Sequence, residues 1–146
     1  MPDFDFVAKN NTERKNLVAF ARGLSGEDLR HPMPAGWTVS AVLAHLALWD
    51  LRALTLLQKW QNEGVTPSPI DTDVFYEATR RLFLAIEGPA AVELACSAAE
   101  TVDQAIAQLS PEMVKSIQTN ATNVRLERAA HRRLHIGEIQ QALAKT

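Results

Sequence analysis

Three histidines, His45, His131 and His135, are the residues of this chain best placed to do chemistry together. The last two lie one helical turn apart in VRLERAAHRRLHIGEIQQAL. Residues at i and i+4 on a helix share a face, with Cβ atoms roughly 5–6 Å apart, so two imidazoles at that spacing can bind one metal ion. His45 lies in a separate amphipathic segment, GWTVSAVLAHLALWD. An imidazole from a facing helix would complete a three-ligand site that keeps an open position, which separates a catalytic or sensing metal from a structural one. No fourth histidine, cysteine or acid is spaced to close such a site. His31 falls in a proline-rich loop, and Cys96 is flanked by alanines on another apolar helix.

The surroundings leave two readings open. His45 shares its helical face with Val42, Leu46, Trp49 and Leu56, so it points toward the core, where a lone histidine is more often a hydrogen-bonded core residue than a ligand. Val124, Leu134, Ile139 and Ala142 flank the other pair, and two half-buried imidazoles are costly without partners, a cost that a shared metal removes. HRRLH is not H-E-x-x-H: Arg132 stands where a zinc protease has its glutamate base, which argues against proteolysis. Glu138, one turn after His135, is either an acid that orients that ligand or acts as a base, or a surface glutamate paired with an arginine. Arg128, one turn before His131, is either solvated or an anchor for a substrate anion. Trp37, Trp49 and Trp60 read as packing residues, Trp49 also as a pocket wall. Tyr76 and Asp50 are polar groups within conceivable reach of the site. There is no glycine-rich phosphate loop and no G-x-S-x-G elbow.

The elements that must position these residues read as helices almost throughout. Leu17, Phe20 and Leu24 have helical spacing in a first helix from about Asn10 to Gly23. SGEDLRHPMPAGW is a loop with one short turn, on the strength of its two prolines and two glycines. A second helix runs from Thr38 to about Asn62, with Val42, Leu46, Trp49, Ala53, Leu57 and Trp60 on one apolar face. After GVTPSPID, Asp71 caps a helix to about Ile86. Pro89 opens another to Leu109, and Ser110-Pro111-Glu112 is a further start signal. QTNATN reads as irregular, and a final helix spans Val124 to Ala144. No segment has the period of two that a sheet requires. The expectation is an all-α four-helix bundle with long connections, forming one domain over residues 1–146. LSGEDLR and LSPEMVK are a short echo, each preceding a histidine-bearing helix.

Bulk properties narrow the partners. Hydrophobic residues make up 47% of the chain, and the net charge is -2. That balance, with a pI near 6.1, gives no global attraction to nucleic acid or anionic lipid. Arg125, Arg128, Arg132 and Arg133 cluster locally, but Glu127 and Glu138 interrupt them, which reads as a solvated helix face. Neither nucleic acid nor membrane is expected as a partner. One cysteine excludes an internal disulfide and fits a reducing compartment, so a cytoplasmic location is expected. MPDFDFVAKNN lacks the basic and apolar regions of a signal peptide. The stretch Val39 to Leu57 comes closest to a membrane span, but His45, Asp50 and Arg52 interrupt it.

WTVSAVLAHLALWD resembles the histidine-bearing second helix of the DinB/YfiT-like family of metal-dependent enzymes, and AAHRRLHIGEI resembles that family's last helix with its H-x-x-x-H pair. The order of elements and the length match as well, so the resemblance covers essentially the whole chain. It implies a four-helix bundle, often dimeric, with His45, His131 and His135 holding a divalent metal, zinc or nickel foremost. It further implies a hydrolase or thiol S-transferase acting on a small molecule, with a low-molecular-weight thiol as a candidate co-substrate. A non-catalytic metal- or ligand-binding bundle is the alternative. Relatives that resemble mycothiol-dependent maleylpyruvate isomerase carry a further C-terminal domain, for which the eleven residues after His135 leave no room. That particular isomerisation is therefore not the expected reaction.

Overall fold

The computed structural model describes residues 4–145. Among these the chain forms seven α-helices and one two-residue-long hairpin ladder. They are α1 (Asp5–Arg22), α2 (Gly26–Arg30), β1 (Pro32–Met33), β2 (Trp37–Thr38), α3 (Val39–Glu63), α4 (Thr72–Leu84), α5 (Gly88–Ala107), α6 (Pro111–Asn120) and α7 (Ala129–Ala144). The protein is all-α apart from that ladder. α3 packs most extensively on α5, α1 packs on both α5 and α7, and α7 also meets α3. α4 lies against α3.

Helix starts follow local chemistry. Ser25 accepts from the Asp28 amide while Asp28 accepts from the Ser25 amide, a capping box that makes a helix of SGEDLR, where the sequence suggested one turn in a loop. Thr38, Asp71 and Ser110 cap α3, α4 and α6 through their side-chain oxygens. The two halves of the LSGEDLR/LSPEMVK echo therefore share a role, each opening a short serine-capped helix. α3 ends at Gly64, whose φ of +84° is open to glycine and strained for other residues; its amide bonds back to the Trp60 carbonyl. The expectation of no sheet needs correcting. Pro32 pairs with Thr38 and Met33 with Trp37 around Pro34–Gly36, where Ala35 and Gly36 both take positive φ. A pairing this short carries no period-two signal.

The core comes in two apolar clusters. One gathers Leu17, Val39, Leu43, Leu46, Ala99 and Ile139, among others. The second gathers Phe6, Leu57, Trp60, Val102, Ile106 and Ile117. Along the long helices a buried polar layer falls at the level between them: Asn10 and Arg14 on α1, Asp50 on α3, Asp103 on α5, and Arg128 and Arg132 at the start of α7. Arg132 is 1% exposed and forks onto both Asp103 oxygens at 2.9 and 2.8 Å while also reaching Asp50 at 3.2 Å. Arg128 Nε donates to Asp50 at 2.8 Å, and Arg14 donates to Asp103 at 2.8 Å. Burial alone would lower the pKa of Arg132, but hydrogen bonding to Asp103 and the charges of Asp50 and Asp103 outweigh it and hold it above its ordinary value. The reading of Arg128 and Arg132 as a solvated face is thus overturned; Arg125 and Arg133 of that cluster are exposed.

The last helix begins at Ala129, five residues later than its apolar pattern suggested. Asn10 sets that start from across the protein. Its side-chain oxygen accepts from the amides of Arg128 at 2.7 Å and Ala129 at 3.1 Å, and its amide donates to the Leu126 carbonyl at 2.9 Å. Leu126 and Val124 are buried in loop conformation below it. α3 is the one helix, among the described residues, long and apolar enough to cross a membrane by length and composition; 61% of its most apolar window is buried inside the protein, as suits a core helix.

Asn10→Ala removes the cap of α7 and strands two buried amides and a carbonyl. It should lower unfolding free energy by about 2–3 kcal/mol in urea titrations, whereas Asn11→Ala on the exposed side of α1 should change it by no more than about 0.5 kcal/mol.

Candidate metal centre

The three histidines converge. His45 stands two turns into α3, and His131 and His135 stand on the first two turns of α7. The Nε2 of His131 is 3.2 Å from the Nε2 of His45 and 3.2 Å from that of His135. One nitrogen from each ring falls within 4.8 Å of the other two. The ring centroids are 4.7–5.1 Å apart.

The residues present fit a metal ion. Two nitrogens bound to one zinc at about 2.0–2.1 Å are about 3.4 Å apart when the arrangement is tetrahedral, close to the spacing of these rings. The proton inventory points the same way. Each neutral imidazole has one N–H, and His131 Nε2 faces two other Nε2 atoms, so it can hydrogen-bond to only one of them at a time. The Nδ1 of His45 is buried with no hydrogen-bond partner. His135 Nδ1 donates to the Glu138 carboxylate at 3.3 Å, which keeps the proton on that nitrogen and leaves its Nε2 lone pair facing the other rings. Glu138, exposed on α7, is therefore beside the site rather than merely on the surface.

The site is held neutral. Burial pushes the pKa of His45 down from the ordinary 6.5 to about 3, with further lowering by the charges of His135 and His131. Burial likewise takes His131 to about 3, helped by His135, Arg128 and Arg132. Burial also lowers His135, but the nearby Glu138 opposes it.

Aromatic side chains wall the cluster. The His45 ring is 5.8 Å from Trp37, 6.2 Å from Trp49 and 5.3 Å from Tyr76, centroid to centroid. Trp37 comes from β2, so the small hairpin is part of the site, a role that its packing-type sequence did not reveal. Tyr76 comes from α4. Two pockets meet here. One, of about 270 Å³, is bounded by Met33, Trp37, Val42, His45, His135 and Glu138. The other, of about 780 Å³, lies against His131 and includes Trp49, Arg52, Arg125 and Arg128. Tyr76 borders both.

Other sequence candidates fall elsewhere. His31 bonds locally to the Pro32 carbonyl and is not in the cluster. Cys96 is buried in the apolar core, where burial raises its pKa. Asp50 is occupied by Arg128 and Arg132 and does not join the histidines. Arg128 is 8% exposed and bound to Asp50, which corrects the choice between a solvated residue and an anion anchor: it is an internal ion-pair partner. Leu134, expected to help bury the pair, is 57% exposed. Nothing local marks Asn10 or Asp103; the only sequence signal is an acid on the same helical face as Ala99, Val102 and Ile106 of α5.

Helices surrounding a cluster of three histidines define a class of helical proteins with a candidate metal centre. The chain belongs to the family of the mycothiol maleylpyruvate isomerase N-terminal domain, whose pattern it matches over residues 11–135, and with it to the DinB/YfiT-like superfamily. Neither a curated protein nor a solved structure matches it. That family is related to metal-dependent mycothiol enzymes, and the histidine cluster could hold a metal ion.

Metal-free protein should lose stability as pH falls through the range between the unfolded and folded histidine pKa values. His45 and His131 titrate near 3 when folded and at 6.5 when unfolded, so between those values the unfolded chain binds more protons. Their contribution is full above about pH 6.5 and declines below it, by on the order of 2 kcal/mol for each ring at pH 5. Urea midpoints at pH 7 and pH 5 check this. The drop should shrink in His45→Asn, and an equal drop in that variant would assign it to other groups.

Proposed function

We propose that this protein is a metal-dependent enzyme acting on a small molecule, as a hydrolase or a thiol S-transferase, with His45, His131 and His135 as its ligands. The observation that carries the reading is the convergence of three uncharged imidazoles, with the His131 Nε2 3.2 Å from that of His45 and 3.2 Å from that of His135. We take zinc or nickel as the ion, since neutral imidazole suits both. We also take α1, α3, α5 and α7 as a four-helix bundle of DinB/YfiT type.

A divalent ion held by His45, His131 and His135 would supply Lewis acidity, lowering the pKa of a bound water to about 7, or that of a thiol likewise. The protein's own residues do the rest. Burial keeps the three imidazoles in the unprotonated form that binds metal. Glu138 holds the proton of His135 on Nδ1 and fixes the ring's orientation through it. Trp37, Met33 and Val42 make the small pocket apolar, which limits water beside the reacting atoms. The family's name makes mycothiol the first thiol to test. We further propose a homodimer, prompted by apolar side chains left exposed on α4 and α7, notably Val74 at 64%, Leu82 at 67% and Leu134 at 57%. A cytoplasmic location suits a thiol-dependent reaction.

The test is metal analysis of protein purified without a histidine tag, followed by thiol-consumption assays with an electrophile. One ion per chain is expected. His135→Ala should abolish tight binding, because two imidazoles hold zinc weakly. Glu138→Ala should keep the ion with metal affinity or turnover reduced by about 10–100-fold. Unchanged affinity and turnover in that variant would return Glu138 to the surface. Full loading of the wild type with no thiol-dependent or hydrolytic turnover would favour a binding protein over an enzyme. Light scattering that gives a monomer at high micromolar concentration would remove the dimer.

A further inference from the structure

The pocket against His131 has a charge character that the metal reading does not use. Arg128, the arginine that the sequence offered as an anion anchor, is already ion-paired with Asp50. Two other guanidinium groups line the same pocket without a carboxylate. Arg52, on α3 seven residues after His45, is fixed in place: its NH2 donates to the Ser68 carbonyl at 2.6 Å and to the Ser68 hydroxyl at 3.0 Å, and its carbon lies 5.4 Å from the centre of the Trp49 ring. Those bonds use one nitrogen of the guanidinium, and its remaining N–H groups have no acceptor among the described residues. Arg125 is exposed, and its side chain has no ion-pair partner among the described residues. Arg52 also feels the positive field of Arg128, and this, after burial, holds its pKa below the ordinary value.

The loops around the pocket are also hydrogen-bonded to one another. Its rim comes from two loops, residues 64–71 and 121–128, which are clasped at one point: the Ser68 carbonyl accepts from Arg52 and from Asn123 Nδ2, the latter at 2.8 Å. Glu127 also lines it and is the one acid facing the arginines there. The pocket's unpaired charge therefore favours anions, in a space of about 780 Å³ that adjoins the His131 ring.

We propose that this pocket is an oxyanion subsite, in which Arg52 and Arg125 hold a carboxylate or phosphate carried by the small molecule that reacts at the histidine cluster. The reaction rests on the metal-site reading; the binding does not, because both arginines belong to the protein itself. Arg52 presents its free N–H groups to the oxyanion at a fixed orientation. Arg125 adds charge from the opposite loop. The apolar pocket on the far side of Tyr76 then takes the uncharged part of the substrate or its co-substrate.

The experiment titrates full-length protein, stripped of metal with chelator and separately loaded with zinc, with three probes: butyrate, methylphosphonate and the uncharged butyramide. Side-chain ¹⁵N signals of Arg52 and Arg125 and the indole signal of Trp49 report binding. Butyrate or methylphosphonate should shift these signals in both forms of the protein, and butyramide should not; whichever anion binds more tightly identifies the head group. Arg52→Gln should weaken the anion by about tenfold or more, the effect of removing a charge-assisted hydrogen bond. Arg125→Gln touches no structural partner and should weaken it by about threefold or more, so the proposal survives any loosening of the Ser68 clasp in the first variant. Equal response to butyrate and butyramide, or anion binding unchanged in Arg125→Gln and Arg52→Gln, would overturn the subsite. Anion binding confined to the zinc-loaded protein would also overturn it, by assigning the anion to the metal. Arginine-dependent anion binding in a protein that takes up no zinc would leave the subsite standing and defeat only the metal reading.

Discussion

The buried salt bridge of Arg132 with Asp103 and Asp50 is the interaction on which the rest of this structure depends. It joins α7 to α5 and α3, with Arg14 and Asn10 bringing in α1. A buried ion network of this kind adds little net stability compared with an apolar replacement, but removing one partner leaves an uncompensated charge at a cost of about 3–5 kcal/mol. What it supplies here is register. Asp50 follows His45 by five residues and Arg132 follows His131 directly, so the contact that aligns α3 with α7 also aligns the imidazoles. A slip of one turn, about 5.4 Å, would separate both sets at once.

The network and the histidine cluster influence each other electrostatically. Three arginines against two aspartates leave the layer positive, and Arg128 and Arg132 help to keep His131 uncharged. Burial does the same for His45. At neutral pH protons then compete weakly for the nitrogen lone pairs, which favours a cation that binds three of them together. Glu138 is the counterweight: it lies on the rim, raises the proton affinity of His135, and is the one acid hydrogen-bonded to a ring of the cluster.

Much of this was legible in the sequence, for physical reasons that differ by element. The step of three to four residues from Val42 to Trp60 is the direct image of a helix with one buried face, and α3 follows it to within a residue or two. Asp71 and Ser110 marked helix starts because capping is local: the side chain satisfies amides two or three residues away. The histidine cluster was legible because His131 and His135 carry half their geometry in their spacing. The remainder depended on distant partners. Asn10 caps a helix more than a hundred residues further on, so the start of α7 could not be placed from residues 124–128, where Val-Arg-Leu-Glu-Arg holds no glycine or proline to break a helical reading. Arg128 and Arg132 read as solvated because their neutralising acids, Asp50 and Asp103, lie on other helices. The hairpin that contributes Trp37 is too short for any periodic signal, and only its Pro, Ala and Gly residues hinted at a tight turn.

The four long helices are held in two different ways, and that division bears on the site. α3 buries thirteen residues and α5 nine, so apolar packing fixes their pairing. α1 and α7 bury four each, and among those four are Asn10 on one and Arg132 on the other. Both outer helices therefore owe much of their placement to hydrogen bonds and charge. The three ligating candidates are split across this boundary: His45 sits on the helix that the hydrophobic core fixes, and His131 and His135 on the one that the polar layer fixes. The distance between them is consequently set by directional contacts, which tolerate little sliding, rather than by non-directional apolar packing, which tolerates more. A cluster that must present three nitrogens to one point within a few tenths of an ångström needs that kind of constraint. Placing the charged layer within about a turn and a half of the histidines supplies it, while the two apolar clusters on either side supply the stability that the layer does not.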